Sequence, residues 1–378
     1  MNPSISEKER FARIQLNAFL YFRADWLARL IEIFGSAENI LRQDAPTLAK
    51  EANLSLTAAT NLLKEAHSIV PQEEWEKTEK IGGRILVPED EEYPQSLRNC
   101  KEAPIALYVL GQLPSEQTAC VGMVGTRKIT PYGRRVAAKL AGELAQSGVT
   151  VISGLARGID SECHAACVRL KKPTIAVIGT GIGRCYPPEN HALEKAILAN
   201  GGAVLSELPF NRPPNAFHFP RRNRIIAALS QPVVVLEGEV KSGALITAKL
   251  ALEMGKDVLA VPGPIDSPQS EGPNSLIRQG AGVVTVTADI LDYIPQQLRF
   301  GLDARFFEYK QEIPAKPEEQ LSARETEVMK AVADRQVSLD QVADAIEANV
   351  PEAAQLLFEL EVKGFLACEN GLYSKSKF

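Results

Sequence analysis

The chain lacks any run of the roughly 18 uninterrupted apolar residues that a membrane-spanning helix requires, because Arg, Gln, Pro or Glu cuts every candidate. It also lacks a secretory pattern at its start: the apolar segment beginning at Leu16 runs into Arg23 and Asp25 with no small-residue cleavage site. A soluble, cytoplasmic protein with no membrane span is expected. Cysteine is sparse and scattered. Cys100, Cys120, Cys163, Cys167, Cys185 and Cys368 include no CxxC pair, which excludes a disulfide framework and a zinc ribbon. Cys163, His164 and Cys167 form the tightest group, with positions 163 and 167 on one helical face, where a metal site competes with the commoner reading of buried small residues. An excess of positive charge is missing too: 42 Lys and Arg stand against 47 Asp and Glu, net −5, which excludes a uniformly basic nucleic-acid coat. Aromatic residues make up only 6%, so few rings are on hand for base stacking.

What is present is a globular composition. The 378 residues, 45% hydrophobic and 24% charged, correspond to about two to three domains. From Phe11 to about Ser68 apolar residues recur at helical spacing, and Gly35-Ser36 reads as a helix stop followed by a new N-cap. Gly82-Gly83, Pro88, Pro94 and Pro104 then punctuate a transition with short strands at Arg84 to Val87 and Ile105 to Leu110. From Cys120 onward, Val- and Ile-rich runs alternate with helical stretches, with strands expected at 120–124, 149–152, 175–178, 203–205, 233–236 and 258–261. Such runs indicate parallel strands buried on both faces and joined by right-handed crossovers, a doubly wound Rossmann-like sheet. The polar stretch 296–318, with Pro314 and Pro317, reads as a linker. Beyond it three helical patterns and an Asn370-Gly371 turn predict a winged helix over 319–378. From Glu318 to Phe378 there are 6 basic and 12 acidic residues, net −6. A groove-reading wing should be basic, so this one fits a protein partner better than duplex DNA.

In an open parallel sheet ligands bind beyond the carboxyl ends of the strands. Four segments lie there. Gly125-Thr126-Arg127 leads to Thr130, a candidate N-cap, and Pro131, so free helix amides beside Arg127 would seat a phosphate. Ser153-Gly154 through Gly158-Ile159-Asp160 opens the helix of His164, with Asp160 either N-cap or ligand group. The loop from Gly179 to Pro188 has the wrong spacing for GxGxxG and no acidic residue placed for a ribose, so no redox cofactor is expected. Arg221, Arg222 and Arg224 crowd a helix start with Asn223. Three cations at the positive end of a helix dipole call for an anion, either a ligand or buried Glu207 or Glu237. Lys241-Ser242-Gly243 begins another helix on the same rim, with Ser242 as cap. His164 has no partnered nucleophile and reads as structural. The rim is rich in anion donors and poor in acids and bases, which describes binding, not an enzyme.

At these residues the chain resembles the DprA/Smf family of DNA-processing proteins. The pattern runs through Gly125-Thr126-Arg127 with Tyr132-Gly133, Ser153-Gly154, Gly158-Ile159-Asp160 with His164, Tyr186-Pro187 with Asn190, and Ser206-Glu207. It continues through Phe219-Pro220, Arg222-Asn223-Arg224-Ile225-Ile226, Ser242-Gly243, Pro262-Gly263 and Gly280-Ala281. Cys163 and Gly238 stand where the family usually has Ala. The resemblance spans about Gly82 to Leu291. It implies a helical unit of the SAM or helix-hairpin kind at 1–75, an extended Rossmann-like DNA-binding domain at 76–295, the linker and the winged helix. It further implies a homodimer that binds single-stranded DNA, protects it and loads RecA in natural transformation and homologous recombination. The phosphate role falls on Arg127, Arg224 and Lys241, supported by Gly125, Thr126, Ser153, Gly154, Arg222, Asn223, Ser242 and Gly243. Tyr132, Phe217 and Phe219 are aromatics expected near the rim. Two other classes compete: a nucleoside-monophosphate phosphoribohydrolase, whose PGGxGTxxE run is absent here, and a protein-interaction scaffold.

Overall fold

The computed structural model describes residues 5–21, 23–307, 321–332, 336–363, 365–369 and 371–375. Two compact units emerge, Met1–Tyr309 and Lys310–Phe378. The first is built on nine strands: β1 Gly83–Leu86, β2 Leu107–Gly111, β3 Cys120–Val124, β4 Thr150–Ser153, β5 Thr174–Val177, β6 Ala203–Ser206, β7 Pro232–Val235, β8 Asp257–Ala260 and β9 Gly282–Val283. Their order is β1-β2-β6-β5-β4-β3-β7-β8-β9. From β6 to β9 all neighbours are parallel, while β1 and β2 complete one edge antiparallel. The chain leaves β3 toward β4, β5 and β6, then returns to place β7 on the other side of β3. That reversal opens a crevice beyond the ends of β3 and β7.

Alternation along the strands fills two cores. Val124, Ile152, Val177, Val233 and Ala260 face the helices His218–Leu229 and Gly243–Glu253. Met123, Val151, Val234 and Leu259 face the helices Pro131–Ser147 and Ile159–Arg169. This two-sided burial is why the strands read as continuous apolar runs.

The helical front is part of the same unit. Ser6 caps Glu7–Leu20, its Oγ accepting from Glu9 N at 3.2 Å. Gly35, with φ of 83°, ends Ala24–Phe34, and Ser36 caps the next helix, as the sequence predicts. Leu16, Leu20, Leu30, Ile40, Leu48 and Leu62 form its own core. Polar bonds then tie it to the sheet: Asn17 Nδ2 donates to the Glu207 carbonyl at 2.8 Å, and Glu74 Oε2 accepts from both Phe210 N and the Tyr108 hydroxyl.

The expected linker begins too early at 296. Residues 296–307 pack on the main unit through Leu298, Leu302, Phe306 and Phe307, and Asp303 N donates to the Ser147 carbonyl. Apolar side chains between the polar ones hold this stretch to the core. Pro314 and Pro317 lie outside the described residues. The second unit has helices Ala323–Val332, Leu339–Ala345 and Val350–Val362, and an antiparallel sheet of β10 Val337–Ser338, β11 Leu366–Glu369 and β12 Leu372–Lys375. This is the winged helix; Asn370 of its expected turn lies outside the described residues. Among the described residues no helix is long and apolar enough to cross a membrane.

Candidate functional site

A cavity of about 660 Å³ sits at the crevice between the ends of β3 and β7. The turn after β3 forms its first wall. Thr126 N donates to the Glu237 carbonyl at 2.8 Å, and the Thr126 carbonyl accepts from Ile159 N at 3.1 Å, so one residue ties the ends of β3 and β7 to the start of the helix Ile159–Arg169. Gly158, with φ of 83°, brings its backbone against Arg127, where a Cβ would lie 2.9 Å from the Arg127 carbonyl carbon. Arg127 is thereby left exposed, its guanidinium 5.1 Å from the centre of the Phe219 ring. Tyr186 packs on Phe219 with ring centres 5.5 Å apart. Arg127, Phe219 and Tyr186 make a cationic, aromatic wall.

Arg222 and Asp160 line the floor. Arg222 is buried, donates to the Gly154 carbonyl at 2.6 Å and to Asn223 Oδ1 at 3.2 Å, and lines the cavity. Burial lowers its pKa to about 10, against the opposing pull of Asp160. Burial raises the Asp160 carboxyl, with Arg222 acting the other way. Gly154 separates the two groups: a Cβ there would lie 2.5 Å from Asp160 Oδ2 and 2.8 Å from Arg222 Cζ. The far wall is Lys241, exposed, with Ser242 and Gly243. Asn223 Nδ2 reaches the Gly243 carbonyl at 3.2 Å and joins floor to wall.

Of the residues expected on the rim, Gly125, Thr126, Arg127, Arg222, Asn223, Lys241, Ser242 and Gly243 meet in this cavity. Ser153 and Gly154 stand behind it: the Ser153 hydroxyl donates to the Met123 carbonyl at 2.6 Å, and Gly154 supports Arg222. Arg224 is not on the rim. It is 5% exposed and forms a two-pronged ion pair with Glu207, at 2.6 and 2.5 Å, while its Nε donates to the Glu102 carbonyl. Arg221 turns the same way, to Glu102 and the Tyr21 carbonyl. The crowded helix start is therefore answered by buried Glu207 and half-exposed Glu102 on one side and by the cavity on the other.

The expected phosphate seat at Pro131–Ser147 is also taken. Thr130 is the N-cap, its Oγ1 accepting from Gly133 N at 3.0 Å, but the Glu237 carboxylate receives both Thr130 N, at 3.1 Å, and the Thr130 hydroxyl. A side chain at Gly133 would collide with that carboxylate, at 2.8 Å from Oε1. Glu237 is the internal anion of this helix N-terminus. Tyr132 faces away, its hydroxyl donating to the Pro262 carbonyl at 2.7 Å. Phe217 is 84% exposed at the start of its helix, whereas Phe219 is in the wall. Ser242 holds the N-cap position without a side-chain cap bond, and its Oγ is buried with no hydrogen-bond partner. Asp160 is not the cap of its helix, a position Gly158 holds.

His164 is fully buried, with Nδ1 2.8 Å from Thr174 Oγ1, and burial and then Arg222 push its pKa down to about 3. It is a structural, neutral histidine. The glycine loop after β5 spends its amides on the segment after β6, Gly181 N on the Arg212 carbonyl and Gly183 N on the Phe210 carbonyl. Pro214, Asn215 and Ala216 complete the cavity mouth and had no signal beyond the Pro213-Pro214 break.

Two family models match the chain: DNA recombination-mediator protein A over residues 84–295 and the DprA winged helix domain over 312–371. Protein Smf of Escherichia coli is 40% identical over 292 residues, 76% of each chain. Protein Smf of Synechocystis is 32% identical over 92% of this chain and 93% of its own. Among solved structures, DNA processing protein A from Streptococcus pneumoniae superposes with a TM-score of 0.64 at 29% identity, covering 78% of this chain and 99% of that one. DNA processing protein A from Helicobacter pylori, solved to explain its single-stranded DNA binding mode, matches with a TM-score of 0.50 at 29% identity over 56% and 94% of the two chains. With its sheet unit and its winged unit both matched, the chain belongs to the DprA/Smf family of DNA-processing proteins.

Proposed function

We propose that this protein binds single-stranded DNA at the strand-end cavity. Phosphates lie against Arg127, Lys241 and the Gly125-Thr126 and Ser242-Gly243 segments, and a base lies on the Phe219 and Tyr186 wall. The observation that carries this reading is the union of exposed cations with a paired aromatic surface in one open crevice, the combination that holds single strands without reading sequence. Arg222 and Asn223 shape the floor, and the unpartnered Ser242 Oγ offers a further bond to a phosphate oxygen. That the Helicobacter pylori relative binds single-stranded DNA supports the choice of ligand. On this reading the chain acts in the cytoplasm as a homodimer that shields incoming DNA and loads RecA in transformation and recombination, and it is not an enzyme. A nucleotide hydrolase is disfavoured because Glu237, the acid at the strand end, is 2% exposed and held by Thr130.

The winged unit has a separate role in this proposal. Its helix Val350–Val362 carries no Lys or Arg and exposes Phe358 at 65%. An apolar and acidic face fits a protein partner.

The test is fluorescence anisotropy of a labelled single strand, with duplex and RNA competitors at two salt concentrations, on wild type and on Arg127→Ala with Lys241→Ala. Salt-sensitive binding that the pair weakens by more than about tenfold is expected. Binding that is absent, or indifferent to both substitutions, would leave the resemblance as one of fold alone. Sedimentation at the same concentrations reads the dimer.

A further inference from the structure

Apart from the cavity, one cluster among the described residues joins three different metal-ligand types. Cys185 lies in the loop between β5 and the helix His191–Ala199, and His191 and Glu194 stand three residues apart in that helix, hence on one face. One ligand atom from each of the three residues lies within 4.8 Å of the other two. Donors 2.0–2.3 Å from a tetrahedral zinc lie roughly 3.3–3.8 Å from one another. Side-chain adjustment of about 1 Å closes that difference, and His191 is exposed and free of packing that would resist it.

A second observation points to a cation. Glu194 is 8% exposed, and its Oε2 is buried with no hydrogen-bond partner. A carboxylate oxygen stripped of water and left unpaired is costly. The Cys185 thiol donates to the Pro187 carbonyl at 3.6 Å and lies beside Glu194, so a metal ion would take the orphaned Glu194 oxygen together with the Cys185 sulfur, in place of its proton, and the His191 nitrogen.

We propose that Cys185, His191 and Glu194 bind a zinc-type divalent cation, with water in the fourth position. The mixed sulfur, nitrogen and oxygen donor set suits Zn²⁺ and not Mg²⁺ or Ca²⁺, which take oxygen ligands. On binding, the Cys185 S–H bond breaks, the sulfur–metal bond forms and the proton passes to solvent; no electron is transferred. One thiolate and one carboxylate then neutralise the dication. The ion clips the loop to the helix next to Tyr186, so it steadies one side of the aromatic wall without being part of the cavity.

The experiment uses the full chain without a polyhistidine tag, stripped with a chelator and titrated with Co²⁺ and then Zn²⁺. One Co²⁺ per chain is expected, with a thiolate charge-transfer band and tetrahedral ligand-field bands, both erased by Zn²⁺. Cys185→Ser should remove the charge-transfer band, while Cys368→Ser keeps it. His191→Ala, at an exposed position that leaves the fold intact, should weaken Co²⁺ binding by more than the roughly 10–100-fold that loss of a ligand's supporting partner costs. Substoichiometric Co²⁺, no thiolate band, or binding unchanged in Cys185→Ser or His191→Ala would overturn the proposal. None of these readouts depends on DNA binding.

Discussion

The helix His218–Leu229 has two sides, and its arginines divide between them. On one side Arg221 and Arg224 turn away from the sheet end and meet Glu102, Glu207 and the backbone of the helical front. On the other, Arg222 with Asn223 and Phe219 lines the cavity. Residues adjacent in sequence thus serve opposite ends. Arg224 and Glu207 are buried partners, 6% and 4% exposed along their side chains, whereas Arg127 across the cavity is exposed and, among the described residues, stands over a ring face with no ion pair. In the first case the charge is satisfied within the fold; in the second it is available to a ligand. The difference teaches that an arginine cluster at a helix start is not one site, and that the acids reachable from each side decide which members can bind an anion.

Removing Arg224 has the largest expected effect. Arg224→Ala leaves Glu207 charged, buried and unpaired, which costs about 3–5 kcal/mol. Chemical unfolding should show that loss, and any drop in DNA affinity should track the unfolded fraction. Normal stability with lost DNA binding would put Arg224 back on the rim. Next in size is Gly154→Ala. The new Cβ would press between Asp160 Oδ2 and Arg222 Cζ, and overpacking of this kind costs about 1–3 kcal/mol. Because Arg222 is the floor of the cavity, this variant should lose stability and single-strand affinity together, the mixed outcome that neither side of the helix gives alone.

Much of this was legible in the sequence. The apolar runs from Cys120 onward predict the six central strands to within one residue or so, since strands buried on both faces have no polar alternation to blur them. Gly35-Ser36, Thr130 and the wing strands are equally local signals. The strand-end rule also located the cavity. What the sequence left open was which pairing wins: Glu207 and Glu237 were alternatives to a ligand for the arginines, and Glu207, 17 residues before Arg224, takes that role, while Glu237, 107 residues beyond Thr130, instead fills the helix N-terminus expected to seat a phosphate. The Rossmann order places those acids beside these groups, and that placement appears only once the strands are arranged. Phe306 and Phe307 show the same limit: a polar, Pro-containing stretch reads as linker until two rings are found against the core.

Arg127→Ala makes the complementary case to Arg224→Ala. With no ion pair to lose among the described contacts, its stability should stay within about 0.5 kcal/mol of wild type. Its single-strand affinity should fall about tenfold, and the slope of log affinity against log salt should shrink by about 0.7 for the one phosphate released. A slope that does not change would assign Arg127 to the aromatic wall and leave the phosphate to Lys241.

The smallest expected effect is at an ion pair of the winged unit. Glu325 is as buried along its side chain as Glu207, 4% exposed, but its partner Lys363 is 30% exposed. The bond from Lys363, and then the Ser322 amide, hold the Glu325 carboxyl down at about 2 against an ordinary 4.5. A lowered carboxyl pKa favours the folded state when ionised, so this contribution is complete above pH 4.5 and is lost as pH falls through 4.5 toward 2. A half-wet ion pair is worth only about 0.2–1 kcal/mol. In Lys363→Met, protection of Ala323–Val332 from hydrogen exchange, taken relative to the intrinsic rate at each pH, should fall slightly at pH 6, and its further loss on going to pH 3 should be smaller than in wild type. A loss on the scale of Arg224→Ala would show that the carboxylate's own burial, and not its partner's, sets the strength of such a pair.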